Sequence, residues 1–372
     1  MSLSFSHAHS EGSGTTEVVA VLIAITNSRA RVLTVDGGKL LPNGPLMPLH
    51  RSLQAGVRQW VEEQTQQPLG YIEQLYTFVD TNRRNIDGHA LVYVSYMGLV
   101  QEAMTQPVAI QKSTDINVNK TLASSSQSDL SYDDVQSSHN QARWRDWYDY
   151  FPYENHLIDE SNTQQITHKL KQWADAADSE QVRIKRLQRI YLCWGGDWEQ
   201  DSDFKQVIAC EDRHSSSAKE MFNKWVAEHA LLRYEMLYEA GLLPESPDYN
   251  ASKLPKNWHR IIGEPMYYDH RRVIATAISR LRAKIEYRPL IFGLMPDEFT
   301  LLQLQQSVEA LSGVPLHKQN FRRLLESQNL LEPTGNSSQV GRGRPAKLYR
   351  FRFDINLQSL LMDSKLPKSN SR

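Results

Sequence analysis

Two clusters in this chain have the residue types and spacing to do chemistry. The first lies in Leu53–Gln64, where Val57, Trp60 and Val61 recur at helical spacing and Arg58, Glu62 and Glu63 share the same stretch. Carboxylates at positions i, i+3 and i+4 of a helix share a face. Three of them can hold Mg²⁺ against a pyrophosphate, because Mg²⁺ asks for hard anionic oxygens in near-octahedral array. Gln59 puts a neutral amide at the first of those positions. Glu62 and Glu63 remain, as a weak Mg²⁺ site or as plain surface charge. The second cluster is Lys318, Gln319, Arg322 and Arg323, set against Phe321, Leu324 and Leu325 on the other side of a helix of about 100° per residue. Arg342, Arg344 and Lys347 come after it. From Leu316 to Phe353 eight Lys or Arg stand against two acidic residues, Glu326 and Glu332, in a chain whose net charge is −1. A basic surface confined to one stretch of a near-neutral chain suits phosphates. A small packing domain with a solvated basic face is the other reading.

The elements that carry the second cluster are legible. Thr300 and Gln303 have the form of a capping box. Leu301, Leu304, Val308 and Leu311 recur at helical spacing, and Gly313 and Pro315 stop the run. A short helix over about 316–328 comes next, then Leu330-Leu331, a turn-rich stretch, and a strand in which Tyr349, Phe351 and Phe353 alternate with Leu348, Arg350 and Arg352. Helix, tight turn, basic helix and hairpin outline a winged helix-turn-helix. The Gly341–Pro345 tip, with its two guanidiniums, enters a minor groove or lies along the backbone.

Ahead of this module, Val18–Thr26 is a continuous β-branched and apolar run, the mark of a strand buried on both faces. Arg31–Val35, Tyr71–Asp80 and Ala90–Val100 read as further strands, with a loop over Thr81–Gly88. Between Gln106 and Gln141 Ser, Gln, Asn and Asp dominate, as in a flexible insertion. Aromatics then cluster at Trp144, Trp147, Tyr148, Tyr150, Phe151 and Tyr153; they are core, or they stack a ligand base. Helices are expected near Thr163–Ala177 and Ser179–Tyr191. Another is expected over Ala218–Ala240, with Phe222, Trp225, Val226, His229 and Leu232 inward, and His229 a packed core histidine. The next runs from Asp269 to about Tyr287 with an apolar stripe, leaving Arg271, Arg272, Arg280, Arg282 and Lys284 as a mostly solvated face. Two cysteines, Cys193 and Cys210, exclude a disulfide scaffold and a CxxC-type zinc site. His7 and His9 sit in a polar N-terminal tail. The longest apolar run is too short to span a bilayer and the first sixteen residues do not read as a signal peptide, so the cytoplasm is expected.

The segment Gly44–Glu63 resembles a Nudix box. That signature places a Gly, a Glu six residues later, and eight residues after that Glu the run Arg-Glu-apolar-any-Glu-Glu. Gly44, Arg58, Trp60, Glu62 and Glu63 stand at their positions; His50 replaces the first Glu, Gln59 the second, and Thr65 the closing Gly. A Nudix-like domain followed by a module with GRGRPAKLYRFR resembles the NrtR-type Nudix-related transcriptional regulators. LYTFVDTNRRN and DHRRVIATAISRLRAKIEYRPLIF carry the likeness further, and WYDYFPYEN with LLRYEMLYEAGLL is most similar to their longer NadQ branch.

The resemblance implies an α+β protein: a Nudix-like mixed-sheet domain with a largely helical insertion, followed by a winged helix-turn-helix. The expected layout is a disordered tail at 1–16, the first part of the Nudix-like domain at 17–101, a flexible linker at 102–142 and a mostly helical insertion at 143–265. The last Nudix helix then falls at 266–290, the winged helix at 291–356 and a loose tail at 357–372. It further implies a repressor of NAD synthesis or salvage genes, binding a double-stranded DNA operator as a homodimer, with no membrane partner. The nucleotide effector is ADP-ribose, NAD or ATP. Lys318, Gln319, Arg322 and Arg323 match the recognition helix; Arg342, Arg344 and Lys347 match the basic wing. For the ligand, Arg58, Glu62 and Glu63 are nominated with Arg83 and Arg84, since Arg pairs suit phosphate geometry. No catalytic residue, resident metal or cofactor is expected beyond weak Mg²⁺ at Glu62 and Glu63. The competing reading is a Mg²⁺-dependent Nudix pyrophosphatase acting on ADP-ribose or a related dinucleotide. A scaffold whose winged module binds protein is the third.

Overall fold

The computed structural model describes residues 16–70, 72–84, 88–102, 142–157, 161–196, 198, 201–210, 224–287, 293–338 and 345–352. Its centre is strand β1 (Thr16–Thr26), which is buried on both faces from Val18 to Ala24. On one side β1 pairs in parallel with β5 (Ala90–Leu99). On the other it meets β3 (Asn43–Pro45) and then β2 (Arg29–Thr34), both antiparallel. β4 (Ile72–Arg84) and β6 (Arg143–Asp146) close the edges, giving the order β4-β5-β1-β2-β6. The β1–β2 turn has positive φ at both central residues, Asn27 at 51° and Ser28 at 58°. That twist matches the twist of the flanking strands.

The alternation of β1 divides the core. Val18, Ala20 and Leu22 face helix α1 (Leu53–Thr65), meeting Val57 and Val61. Val19, Val21 and Ile23 face the opposite layer, where helix α7 (His270–Tyr287) contributes Val273, Ile274, Ala277 and Ile278. Helices on both faces of a mixed sheet are the layers the Nudix resemblance implies, and the α+β class is as expected. Between β6 and α7 the chain forms α2 (Ser161–Asp175), α3 (Glu180–Trp194), α4 (Ser202–Cys210), α5 (Ala230–Glu239) and α6 (Trp258–Ile262). Their apolar residues join the α7 side of the core, together with the Trp147, Tyr150, Phe151 and Tyr153 cluster. The aromatic cluster is core.

Three local expectations are corrected. Helix α5 begins only at Ala230: the carbonyls of Val226 and Ala227, which a longer helix would use internally, accept from Arg233 at 2.9 and 3.4 Å. Arg233 is fully buried while Leu232 is 48% exposed, the reverse of the expected stripe; Phe222 lies outside the described residues. The basic positions of α7 are only partly a solvated face, because the insertion covers much of the side of the helix that the sheet does not: Arg280 is exposed as expected, and Arg272 is half-buried between Glu235 and Asp269. Arg271 is fully buried, donating to the Tyr150 and Ile262 carbonyls and facing Glu245 at 3.3 Å. Arg282 is buried too, and Lys284 pairs with Glu73 of β4. Finally, β4 continues to Arg84, whose backbone pairs with Ala90, where a loop was expected after Asp80.

The C-terminal module comprises α8 (Leu301–Ser312), α9 (Lys318–Gln328), β7 (Leu331–Ser338) and β8 (Ala346–Phe351). Thr300 and Gln303 make the expected capping box with both of its bonds, and Gly313 ends α8 in the left-handed region at φ 77°. Phe299 bridges Tyr349 and lies on Phe351 with ring centroids 4.8 Å apart, tying the hairpin to the start of α8. Among the described residues no helix is long and apolar enough to cross a membrane.

Candidate functional site

The joint between sheet and winged module is built on a buried carboxylate. Glu154 is fully buried, and Arg233 grips it through two parallel bonds of 2.6 and 2.8 Å. Arg282 of α7 donates to the same carboxylate and, through Nε, to the Leu311 carbonyl at the end of α8, 2.9 Å away. Burial pushes the Glu154 carboxyl up, but the two guanidiniums outweigh it and hold the group below the ordinary carboxylate range. Tyr148 donates to the Ala310 carbonyl at 2.7 Å and the His156 amide to that of Gly313 at 2.8 Å. A Cβ on Gly313 would overlap the Glu154 carbonyl. The free carbonyls at the end of α8 are therefore satisfied by the body of the protein, and a cation sits at the negative end of that helix.

Beyond this joint α9 stands in solvent. Phe321 is buried and Leu325 half-buried; Lys318, Gln319, Arg322 and Arg323 are exposed, as expected of a recognition helix, and Leu324, expected inward, is 52% exposed. It lies on the flank of the helix, where no described residue of the module covers it fully. Among the described residues no carboxylate pairs with Lys318, Arg322 or Arg323. In the hairpin Lys347 is exposed, and Arg350 is held by Glu332 at 2.6 Å. Arg342, Arg344 and Phe353 lie outside the described residues.

The altered box occupies the loop before α1 and the exposed face of that helix. Ser52 caps α1 by accepting from the Ala55 amide at 3.1 Å. Gly44 has a steric reason: a Cβ there would run into the Trp60 ring, whose indole N–H donates to Pro45 at 2.9 Å. Arg58 donates to the carbonyls of Leu69 and Gly70, both at 2.6 Å, fastening the loop after the helix. The residues that replace the two glutamates are joined in a line. The Met47 amide donates to His50 Nδ1 at 3.0 Å, so the proton of the neutral ring is on Nε2, which faces Gln59 Oε1 at 3.0 Å. Gln59 Nε2 in turn donates to Glu63 Oε1 at 2.7 Å. Glu62 is exposed and no described residue bonds its carboxylate.

The box holds fewer anionic oxygens than the three-carboxylate magnesium site described above. Of the positions that would present anionic oxygen, two carry neutral groups, and a third carboxylate accepts an amide bond. Among the described residues no group of three or more His, Cys, Asp or Glu side chains is gathered in the manner of a metal site. Arg83 and Arg84 belong to the far end of β4 by backbone; their side chains lie outside the described residues, so Arg58, Glu62 and Glu63 are the described part of the nominated ligand set. A separate cleft of about 450 Å³ opens beside the β1–β2 turn, lined by Ser28, Arg29, Asp146, Tyr148, Asn155 and Ala310 among others. No residue of the box or of α9 lines it.

Sequence reasoning missed Glu154, Arg233 and Arg282. One signal was available: Arg271 and Arg282 are eleven residues apart, three helical turns, in line with Ile278 of the apolar stripe. Residues 291–351 match the NrtR DNA-binding winged helix domain family. The ADPR responsive transcriptional repressor NtrR of Acinetobacter baylyi is 38% identical over 97 residues, covering 25% of this chain. The match spans 38% of that relative's length. Solved structures also align with most of the chain. Shewanella oneidensis NrtR complexed with a 27mer DNA is 20% identical, with 92% of this chain and 95% of that one covered at a TM-score of 0.43. A MutT/nudix family protein from Enterococcus faecalis is 14% identical, with 93% and 90% covered at 0.42.

Proposed function

From a chain that sets an NrtR-type winged helix domain behind a Nudix-like sheet, we propose a ligand-controlled DNA-binding repressor of genes for NAD synthesis or salvage. The observation that carries this is the cationic face of α9, exposed and without carboxylate partners among the described residues, in a module whose sequence matches a DNA-binding family. The effector is a nucleotide, ADP-ribose before NAD or ATP, because the Acinetobacter relative is named for its response to ADP-ribose. It binds over the exposed face of α1 near Glu62 and Glu63, with the Arg83–Arg84 end of β4 offering cations to its phosphates; Arg58 fixes the loop beside it. The line from His50 through Gln59 to Glu63 supports binding without a resident metal and without hydrolysis. Weak Mg²⁺ at Glu62 and Glu63 is the most the box offers. The operator is a palindrome read by a homodimer in the cytoplasm, and the helical insertion suits a longer regulator of the NadQ-like kind.

Fluorescence anisotropy of the full chain on DNA from upstream of its own gene, titrated with ADP-ribose in EDTA, tests the reading. A specific complex, weakened steeply by salt and altered in affinity by ADP-ribose despite the chelator, is expected. Absence of any specific complex at moderate salt sinks it. The pyrophosphatase reading rests on the open carboxylate of Glu62, and Mg²⁺-dependent turnover of ADP-ribose that is lost in Glu62→Gln would establish it instead.

A further inference from the structure

The exposed face of α9 is not uniform, and its asymmetry bears on which bases it reads. Phe321 and Leu325 set the inward direction of the helix. At about 100° per residue, Arg323 and Gln319 both fall within about 40° of the line pointing directly away from the core. Lys318 and Arg322 lie together on one flank, closer to the body of the module. Asn320 and the exposed Leu324 lie on the other. Glu326 and Ser327 also point outward, but from the last turn, whereas the first turns of a recognition helix enter the groove. Among the described residues no carboxylate holds Arg323 back, in contrast to Arg350, which Glu332 ties down within the hairpin.

We infer that Arg323 and Gln319 are the two base-reading residues, taking a guanine and an adenine respectively, while Lys318, Arg322 and Lys347 contact phosphates. This rests on the DNA-binding reading above. The chemistry fixes the base identities. The guanidinium presents two parallel N–H donors, and guanine alone shows two acceptors, N7 and O6, side by side in the major groove. The Gln amide presents one donor and one acceptor, which match N7 and the N6 amino group of adenine. Four residues of helix rise about 6 Å, close to two base-pair steps, so the two bases lie about two pairs apart in each half-site. Ammonium and guanidinium groups on the flank meet the sugar-phosphate backbone, where they add affinity without sequence preference.

Selection from a random duplex pool with the full chain, its variants Arg323→Ala and Gln319→Ala, and the double variant Lys318→Ala/Arg322→Ala tests this. Thermal melting confirms that each variant is folded. The wild type is expected to enrich a half-site with a G·C and an A·T pair about two steps apart. Arg323→Ala should lose preference at the G·C pair alone and Gln319→Ala at the A·T pair alone, each by about 5- to 150-fold. The flank variant should keep the enriched sequence while its affinity falls and its salt dependence becomes shallower. A wild type that enriches a sequence left unchanged by Arg323→Ala and Gln319→Ala overturns the assignment alone. A wild type that enriches nothing overturns the DNA-binding reading and the assignment with it.

Discussion

Glu154→Gln is the substitution that bears hardest on the joint. The carboxylate accepts bonds of 2.6 and 2.8 Å from Arg233 and a further one from Arg282, with the three side chains 0%, 0% and 1% exposed. The amide keeps the shape and one acceptor, but it removes the charge and turns an NH₂ group toward a guanidinium. Two cations then remain buried against neutral partners, chiefly the carbonyls of Cys193, Val226, Ala227 and Leu311. Removing one member of a buried pair costs about 3–5 kcal/mol, because the other charge is left uncompensated. Against a typical total stability of about 5–15 kcal/mol, that is a large share. Urea titration followed by tryptophan fluorescence suits the measurement, since Trp225 stacks on Arg233 with its guanidinium carbon 3.7 Å from the ring centre. With an m-value of about 3 kcal/mol/M the midpoint should fall by roughly 1 M or more. The pH dependence carries a sign. Glu154 has its folded pKa depressed, so its contribution is fully present above the unfolded carboxylate value and is lost as pH falls through the lower folded value. The wild-type advantage over Glu154→Gln should therefore hold at neutral pH and vanish in strong acid. A loss under about 1 kcal/mol at neutral pH would refute the view that this carboxylate holds the joint together.

Other substitutions probe the remaining parts. Gly44→Ala places a methyl against the Trp60 ring, and forcing the helix aside should cost about 1–3 kcal/mol in the same urea assay. Arg58→Ala removes two bonds to the loop after α1; it should lower stability by about 1–3 kcal/mol and weaken ADP-ribose binding by calorimetry while leaving DNA affinity without effector unchanged. Gly313→Ala, at φ 77° and against the Glu154 carbonyl, should cost more than about 1 kcal/mol; its melting temperature should fall where that of Gly335→Ala, also at positive φ but with open space around its Cβ position, falls less.

The parts of this molecule that the sequence discloses are those made by local rules. The capping box at Thr300 and Gln303, the stop at Gly313 and the doubly buried run of β1 depend on neighbours a few residues away, and each is where it was expected. Arg271 and Arg282 are different. On an isolated helix they read as a solvated face; they are buried because an insertion more than a hundred residues long folds over that face, and no window on α7 contains the information. Arg233 misleads for the same reason. Its charge argues for exposure until Glu154, 79 positions earlier in the chain, is known to lie beside it. At the box, the identities of His50 and Gln59 told that carboxylates were missing. That the replacements would join each other and Glu63 in one line required the loop conformation that brings His50 within 3.0 Å of Gln59.

The grip on α8 has a consequence for rebuilding the protein. Its terminal carbonyls accept from Tyr148, Arg282 and His156, so this helix is mechanically part of the body that carries the sheet and the insertion, even though its sequence matches the winged domain. The chain beyond Gly313 meets the core chiefly through Phe321, Leu325, Leu331, Tyr349 and Phe351. A chimera that exchanges α9 and the hairpin while keeping the sheet and the insertion should therefore be cut after Gly313, inside the domain, and not at the domain boundary near residue 290. Cutting at the boundary would bring in a helix whose end must present the same carbonyls to Arg282 and Tyr148 and must carry a glycine at 313, where a side chain would overlap the Glu154 carbonyl. On that mount the segment from 314 onward is the part that a graft can exchange.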